Sequence, residues 1–374
     1  MNSRKTRFGD WKELEALSQS GRIGQLRPFF AGPNVGSRMT KVRESIQYIR
    51  QNWERYPEFM STLQSIMVEH DLEGNHDDEL SRRASALFAS RRDWIDSPNS
   101  VREDITDFDA IHLYTSDQGY RRIFSVVNSI FRSEVTTDFE QTIVGAVFLV
   151  ELLNIDLYNY CWSYPGARDF EGIVYRGMCI SQKDFHAFSQ VFKQPITERY
   201  ISVPLGLVST STETTEAKFF LASRLREDPS QVPLLWKIHV IGLEPHLLSI
   251  YHDHFPSSVV STICSVPVSE LSDFPEEREV LLRGPFFQVL NLSQEGEIEG
   301  RPVHVLEVVT LNSNRDHFTT AQLGGEGARA RGLFRAIVSY RRHRFCASYC
   351  SSHGLEDDAV DYREQSGIAE KEFQ

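Results

Sequence analysis

The sequence of 374 residues is 40% hydrophobic and 25% charged, as is usual for a folded globular protein. Its 52 acidic and 40 basic residues give a formal net charge of −12. This balance argues against non-specific binding to nucleic acid or to an anionic membrane as the main function.

The N-terminal segment carries charges throughout and lacks the apolar stretch of a signal peptide. No window is expected to reach the roughly 18 apolar residues of a membrane helix, and the nearest run is 143–150. The five cysteines are odd in number and follow no pairing pattern. We therefore expect a cytoplasmic protein with no transmembrane segment, while secretion by a route that needs no signal peptide stays open.

Residues 1–97 are predicted to form a helical region, because apolar residues such as Ile46, Ile49 and Trp53 recur there at helical spacing. The turn-forming run 96–100 follows. It is the predicted boundary between this region and a second domain.

This second domain is predicted over 98–311, and its pattern stays helical up to about residue 155. Beyond that point β-prone runs alternate with turn residues, with one helix at 216–226. The predicted strands are 173–178, 205–212, 234–241, 247–251, 280–282, 286–290 and 303–311. Helices that come first and strands that follow predict an α+β fold.

Residues 312–374 are predicted as an arginine-rich helix at 328–344 with a frayed acidic tail. A G-x-G-x-x-A pattern at 325–330 could bind a dinucleotide, but no strand directly precedes it. His343, Cys346, Cys350 and His353 would share one helical face, but their spacing is not that of a known zinc site. We expect no metal.

Three motifs whose side chains could take part in binding or catalysis lie in the β-rich half. Arg176 is followed by Gly177, and an arginine on a strand can grip a phosphate with two hydrogen bonds. Ser209 opens the run Ser-Thr-Ser, in which a serine hydroxyl can orient a carboxylate. Glu277 and Glu279 form an E-x-E pair that, on an extended strand, would point the same way. Paired carboxylates are costly, so the pair suggests a reaction that develops positive charge.

In this order the motifs resemble the arginine–serine–glutamate family of mono-ADP-ribosyltransferases, which includes vertebrate ecto-enzymes and bacterial actin-modifying toxins. The segments 113–116 and 120–122 resemble the helix that opens the NAD cleft in that family. Those at 236–239 and 274–276 resemble its central strand and the start of its acceptor-recognition loop. The resemblance spans about residues 105–310 and implies a split β-sandwich with NAD between its halves.

The resemblance also implies how NAD is bound. Arg176 would hold the phosphates or the adjoining ribose, and the backbone of Gly177 would bind the nicotinamide carboxamide. Either Phe219 or Phe220, with Phe220 preferred, would pack against the nicotinamide ring. NAD, or NADP, is thus a substrate here and not a resident cofactor.

The same resemblance assigns the catalytic residues. Ser209 would position Glu279, which would stabilise the cation that forms when the glycosidic bond breaks. Glu277 would orient the acceptor guanidinium, and a glutamate at this position resembles the arginine-specific members. The chain departs from the toxin pattern at Gly206, where some toxins have an NAD-binding asparagine, and after Leu282, where Arg-Gly-Pro follows. Both departures bear on how NAD lies in the site and neither changes the catalytic residues.

Three functions follow from this interpretation. The first is transfer of ADP-ribose from NAD to a protein arginine, with release of nicotinamide. The second is an NAD glycohydrolase, which uses the same site with water as the acceptor. The third is a catalytically silent module that binds NAD or a partner. The sequence contains no indication of the target protein or of the oligomeric state.

Overall fold

A computed structural model describes residues 108–116, 119, 139–167, 170–202, 207–256, 264–283, 286–313 and 326–374, with isolated positions between 45 and 61. The helical prediction for 1–97 lies almost entirely outside these residues, and so does segment 120–122. The described helices are α1 (Asp109–Thr115), α2 (Phe139–Ser163), α3 (Gln182–Val191), α4 (Thr214–Glu227), α5 (Pro245–His254), α6 (Gly327–Ser352) and α7 (Glu356–Glu370). The described strands are β1 (Gly172–Ile180), β2 (Tyr200–Ser202), β3 (Leu207–Ser211), β4 (Val232–Ile241), β5 (Ser265–Pro267), β6 (Glu279–Arg283), β7 (Phe286–Ile298) and β8 (Arg301–Leu311). Short 3-10 turns lie at Pro165–Ala167, Ile196–Glu198, Ser269–Leu271 and Pro275–Glu277.

The strands form one hydrogen-bonded sheet in the order β2-β7-β8-β4-β1-β3-β6-β5. β1 pairs with β4 along its whole length, but it meets β3 only at Tyr175, opposite Ser211. The sheet therefore divides there into a five-stranded part and a three-stranded part. This arrangement confirms the predicted α+β fold with a divided sheet.

The main core lies on one face of this sheet and crosses the division between the two parts. Buried side chains of β1 and β4, such as Val174 and Trp236, pack together with Val280 of β6 and Phe287 of β7. The Trp236 and Phe287 rings meet edge to face, with centroids 5.4 Å apart. Because burial of such side chains stabilises by about 1.5–3 kcal/mol each, the shared core holds the two parts in a fixed relation.

The C-terminal helices α6 and α7 pack on the sheet, so the prediction of a frayed acidic tail was wrong. Tyr362 of α7 is buried in a core that also contains Phe334 of α6. Its hydroxyl accepts a hydrogen bond of 3.1 Å from Gln288 Nε2 of β7. Arg199 and Asp358 form an ion pair of 2.6 Å beside it. Most of the other acidic residues of α7 are exposed, and the few apolar ones decide the packing.

The run 247–251, predicted as a strand, belongs to helix α5. Pro245 occupies the first turn, where its missing N–H has no helical partner to lose. Leu247 and Tyr251 are four residues apart and are both buried. That spacing places the two side chains on one helical face, and the β-prone composition was misleading.

Helix α2 contains an 18-residue window, Val144–Cys161, that is long and apolar enough to cross a membrane by composition. The expectation that no window reaches this length was therefore wrong. The mean hydropathy of the window is 1.2, and 73% of it is buried inside the protein. Phe148 of α2 packs against Phe59 with ring centroids 5.6 Å apart, so this helix has the contacts of a core helix.

Tyr362→Ala is expected to lower the free energy of unfolding by about 3–5 kcal/mol, because it leaves a large cavity between α7 and the sheet. Val360, which is exposed on the same helix, provides the matched control: Val360→Ala should change stability by less than about 0.5 kcal/mol. Denaturant unfolding followed by circular dichroism measures both. Equal effects of the two variants would show that α7 does not dock as described.

Candidate active site

The three sequence motifs meet where β1, β3 and β6 lie near one another. Ser209 Oγ of β3 donates a hydrogen bond of 2.5 Å to Glu279 Oε1, at the start of β6. Arg176 Nη1 of β1 donates a bond of 2.9 Å to the backbone oxygen of Ser209. Residues that are 33 and 70 positions apart in sequence are thus directly connected.

The predicted catalytic residues are all buried. Arg176, Ser209, Glu277 and Glu279 are each at most 3% exposed. Charged groups lose hydration energy when they are buried, so proteins rarely keep two carboxylates inside unless the carboxylates serve a function. Burial also lowers the local dielectric constant, which strengthens the Ser209–Glu279 hydrogen bond.

Glu277 and Glu279 are not in one extended segment, as the sequence analysis had expected. Glu277 ends the 3-10 turn Pro275–Glu277, and Arg278 takes the left-handed conformation with φ 46° and ψ 52°. This turn directs the Arg278 side chain outward, where it is 67% exposed and forms an ion pair of 2.8 Å with Glu213. Both glutamates are buried, but they reach that position through a turn and not through strand alternation.

Ser211 is a site residue that the sequence analysis missed. Its hydroxyl donates a bond of 2.6 Å to the backbone oxygen of Glu277 and accepts one of 2.8 Å from the backbone N–H of Glu213. Thr210 Oγ1 donates a bond of 2.7 Å to the oxygen of Val280 from the other face of β3. Every hydroxyl of the Ser-Thr-Ser run therefore binds the segment of the two glutamates. The alternation of the run was the signal, because it places Ser211 on the face of Ser209.

Gly177 is required by packing, whatever it binds. A Cβ atom added at this position would collide with the backbone oxygen of Ala217 and lie 3.0 Å from Leu221 Cγ, both in α4. Only glycine lets α4 approach β1 this closely. Of the two candidate aromatic residues in α4, Phe220 is buried and Phe219 is exposed.

Segments 113–116 and 274–276 lie beside this site. Thr115, at the end of α1, donates a hydrogen bond of 3.1 Å to the backbone oxygen of Leu271. Phe274 caps the turn Pro275–Glu277. The segment predicted to open the NAD cleft is therefore bonded to the chain just before the two glutamates.

Two of the residues considered as metal ligands, Cys346 and Cys350, lie in α6. Cys346 and Cys350 are buried, and burial raises the pKa of the Cys350 thiol to about 11. Over the described ranges, no group of three or more His, Cys, Asp or Glu side chains is arranged to hold a metal ion. Gly327 begins α6, and residue 325 of the G-x-G-x-x-A pattern lies outside the described residues.

A row of polar residues crosses the sheet from the site. Glu279 lies opposite Ser211, Ser211 opposite Tyr175, and Tyr175 opposite Lys237. Lys237 in turn lies opposite Glu307 of β8. Residues directly opposite each other share a face of the sheet, so one continuous polar line joins the buried glutamate to the far part of the sheet.

Glu307 anchors the far end of this polar row. Its Oε2 lies 3.0 Å from Lys237 Nζ and 3.3 Å from His239 Nε2. Burial by itself raises the pKa of this carboxyl, but the hydrogen bonds from His239 and Lys237 and the charge of Lys237 outweigh burial and hold the pKa at about 2. The carboxylate therefore stays charged at any ordinary pH.

Glu307 should make the protein sensitive to acid. Its pKa in the folded state is below the ordinary value of 4.5, so its stabilising effect is complete above about pH 4.5 and is lost as the pH falls toward 2. That loss amounts to about 2–3 kcal/mol. Glu307→Gln should show a smaller drop in stability over this pH range than the wild type in urea unfolding. Glu297→Gln, at an exposed position, is the control and should lose stability with falling pH as the wild type does. If Glu307→Gln lost as much stability as the wild type, Glu307 would not be the source of the acid sensitivity.

Gly177→Ala is expected to destabilise the protein by about 1–3 kcal/mol, because the new methyl group would collide with the backbone of α4. At Gly332 of α6, a Cβ atom would have no neighbouring atom within 4 Å, so Gly332→Ala should stabilise slightly through helix propensity. Thermal unfolding compares the two. A neutral Gly177→Ala would mean that α4 lies farther from β1 than described.

No protein-family model matches this sequence, and the search of curated proteins returned no significant match. Among solved structures, the chain is similar to the ADP-ribosyltransferase Vis of Vibrio splendidus, with 14% identity, 64% of this chain and 88% of that chain covered, and a TM-score of 0.34. It is also similar to the ADP-ribosyltransferase HopU1 of Pseudomonas syringae pv. Tomato DC3000 (15% identity, 69% and 97% covered, TM-score 0.35). A third is the type III effector XopAI of Xanthomonas axonopodis pv. citri (14% identity, 73% and 98% covered, TM-score 0.38). Because these values are low, functional inference depends on the site itself.

Proposed function

We propose that the protein transfers ADP-ribose from NAD to the side chain of a protein arginine and releases nicotinamide. The observation that carries this proposal is the hydrogen bond of 2.5 Å between Ser209 Oγ and Glu279 Oε1, next to the bond of Arg176 to the Ser209 backbone. These are the three residues on which the resemblance to arginine–serine–glutamate transferases rests. Their direct connection supports one common site.

Glu279 provides the electrostatic part of the reaction. When the bond between ribose C1′ and the nicotinamide nitrogen breaks, positive charge develops on the ribose, as in glycoside hydrolysis. A buried carboxylate that Ser209 holds in one orientation stabilises that charge without reorganising. The nicotinamide ring is positively charged in NAD and leaves as a neutral molecule, so the leaving group needs no additional activation.

Glu277 provides the preference for arginine. An arginine guanidinium is protonated at all ordinary pH values, and it must lose a proton as one of its nitrogens bonds to ribose C1′. Glu277 would orient the guanidinium through paired hydrogen bonds and accept that proton. Ser211 fixes the backbone of Glu277, which supports an orienting role for this side chain.

The reaction can be tested with NAD and agmatine, a small guanidino compound. We expect the wild type to label agmatine and to release nicotinamide in equal amount. Glu279→Gln keeps the shape but removes the charge, and it should lower the rate of both by about 10²–10³ or more. Glu277→Gln should abolish transfer to agmatine while slow nicotinamide release continues. Glu295→Gln, an exposed change of the same type on β7, is the control.

Two other outcomes would replace this proposal. Nicotinamide release by the wild type without labelling of agmatine or protein would favour an NAD glycohydrolase that uses the same site. No turnover of NAD by a folded protein would favour a catalytically silent binding module. Thermal unfolding of each variant separates loss of activity from loss of fold.

A further inference from the structure

A cavity lies beside β5, the strand that pairs with β6 of the candidate active site. Its volume is about 390 Å³, and it is bounded by the end of α2, the turn Pro165–Ala167 and the turn Ser269–Leu271. Ligand pockets in proteins usually measure about 300–1,000 Å³. This cavity is at the small end of that range, so its volume suits one side chain better than a nucleotide.

Aromatic rings form the floor and one wall of the cavity. Tyr160 is buried, Tyr164 is 47% exposed, and their ring centroids lie 5.0 Å apart. Phe108 packs behind both rings, at 5.2 Å from Tyr160 and 6.1 Å from Tyr164. An aromatic ring attracts a cation placed over its face, and the half-exposed Tyr164 is the ring of this cavity that a cation can reach from solvent.

Glu270 adds a negative charge at the rim of the cavity. Its side chain is exposed, and its charge acts together with burial to raise the pKa of Tyr160 to about 12. The carboxylate is therefore within electrostatic reach of the tyrosine hydroxyl. Glu270 is the charged side chain among the described residues that line the cavity, and a carboxylate at this position can pair with a basic ligand.

The cavity is adjacent to the two candidate catalytic glutamates. Pro267, which lines it, pairs with Val280, the residue after Glu279. The backbone N–H of Val268 donates a bond of 2.9 Å to the oxygen of Glu279. The turn Ser269–Leu271 also packs against the turn that ends in Glu277. The cavity thus borders β5 and the turn that packs against the turn of Glu277, which are the chain segments next to the site of transfer.

We propose that this cavity binds a basic side chain of the acceptor protein, located a few residues from the arginine that is modified. The cation would lie against the Tyr164 ring and pair with Glu270. This inference rests on the proposed function, and it adds a determinant of which arginines are modified. A guanidino compound without a second cation, such as methylguanidine, has no group to place in the cavity, whereas agmatine carries a primary amine of its own.

Transfer to peptides tests this role. Each peptide contains one arginine, with either lysine or glutamine at positions two to five residues away. We expect the wild type to modify the best lysine peptide with a kcat/KM about tenfold above that of its glutamine counterpart, the combined effect of a cation–π contact and a partly exposed ion pair. Glu270→Gln and Tyr164→Leu should each reduce this preference, while their activity on methylguanidine, which has no second cation, stays that of the wild type.

Direct binding separates failure of this proposal from failure of the proposed function. A fluorescent lysine peptide should bind the wild type without NAD, bind about twofold to fivefold more weakly to Glu270→Gln, which removes only an exposed ion pair, and dissociate as salt is raised. Peptide binding that both variants retain would overturn the proposal, whether or not NAD is turned over. Peptide binding that the variants lose, in a protein that transfers nothing to agmatine, would leave a basic-peptide site but refute its role in transfer.

Discussion

The site depends on hydrogen bonds that one short strand, β3, makes to the segment carrying two glutamates. Ser209 holds the Glu279 carboxylate, and Ser211 holds the backbone of Glu277. Thr210 binds Val280 from the opposite face. Hydrogen bonds inside a protein are worth more when every partner is buried and satisfied. The Ser-Thr-Ser run therefore fixes both the position of the turn and the direction of one carboxylate, and the proposed chemistry requires both.

A second constraint is the weak connection between β1 and β3. These strands share one pair of opposite residues, whereas β1 and β4 pair throughout. The bond from Arg176 to the Ser209 backbone crosses this division. An arginine that is buried with its guanidinium on a backbone oxygen has a structural role here, and a role in binding phosphate would come in addition to it. Loss of its charge would thus affect the alignment of the two parts, whatever it does to the NAD binding that is proposed for this residue.

Much of the fold could be predicted from the sequence. The strands at β4 and β8 are long runs of branched and apolar residues, and the helix at α4 has clear helical spacing. The prediction of a strand at 247–251 was wrong. Local composition favoured a strand there, whereas Pro245 and the spacing of the buried residues favour a helix. The three motifs could be found because each places polar or charged residues on or beside a predicted strand, and because the three follow one another in the order of the family. The turn at Arg278 could not be predicted, since nothing in the run Glu-Arg-Glu indicates a residue in the left-handed conformation.

Arg278 also has a consequence for how this turn tolerates change. A left-handed conformation costs an ordinary residue about 1–2 kcal/mol, and glycine avoids most of this cost. The exposed ion pair with Glu213 compensates only a small part of it. At this turn, a change that increases stability is therefore expected to loosen the positions of the two carboxylates. A glycine here would relax the backbone, but it would widen the range of positions open to the neighbouring carboxylates, so selection for stability alone would be expected to erode the site.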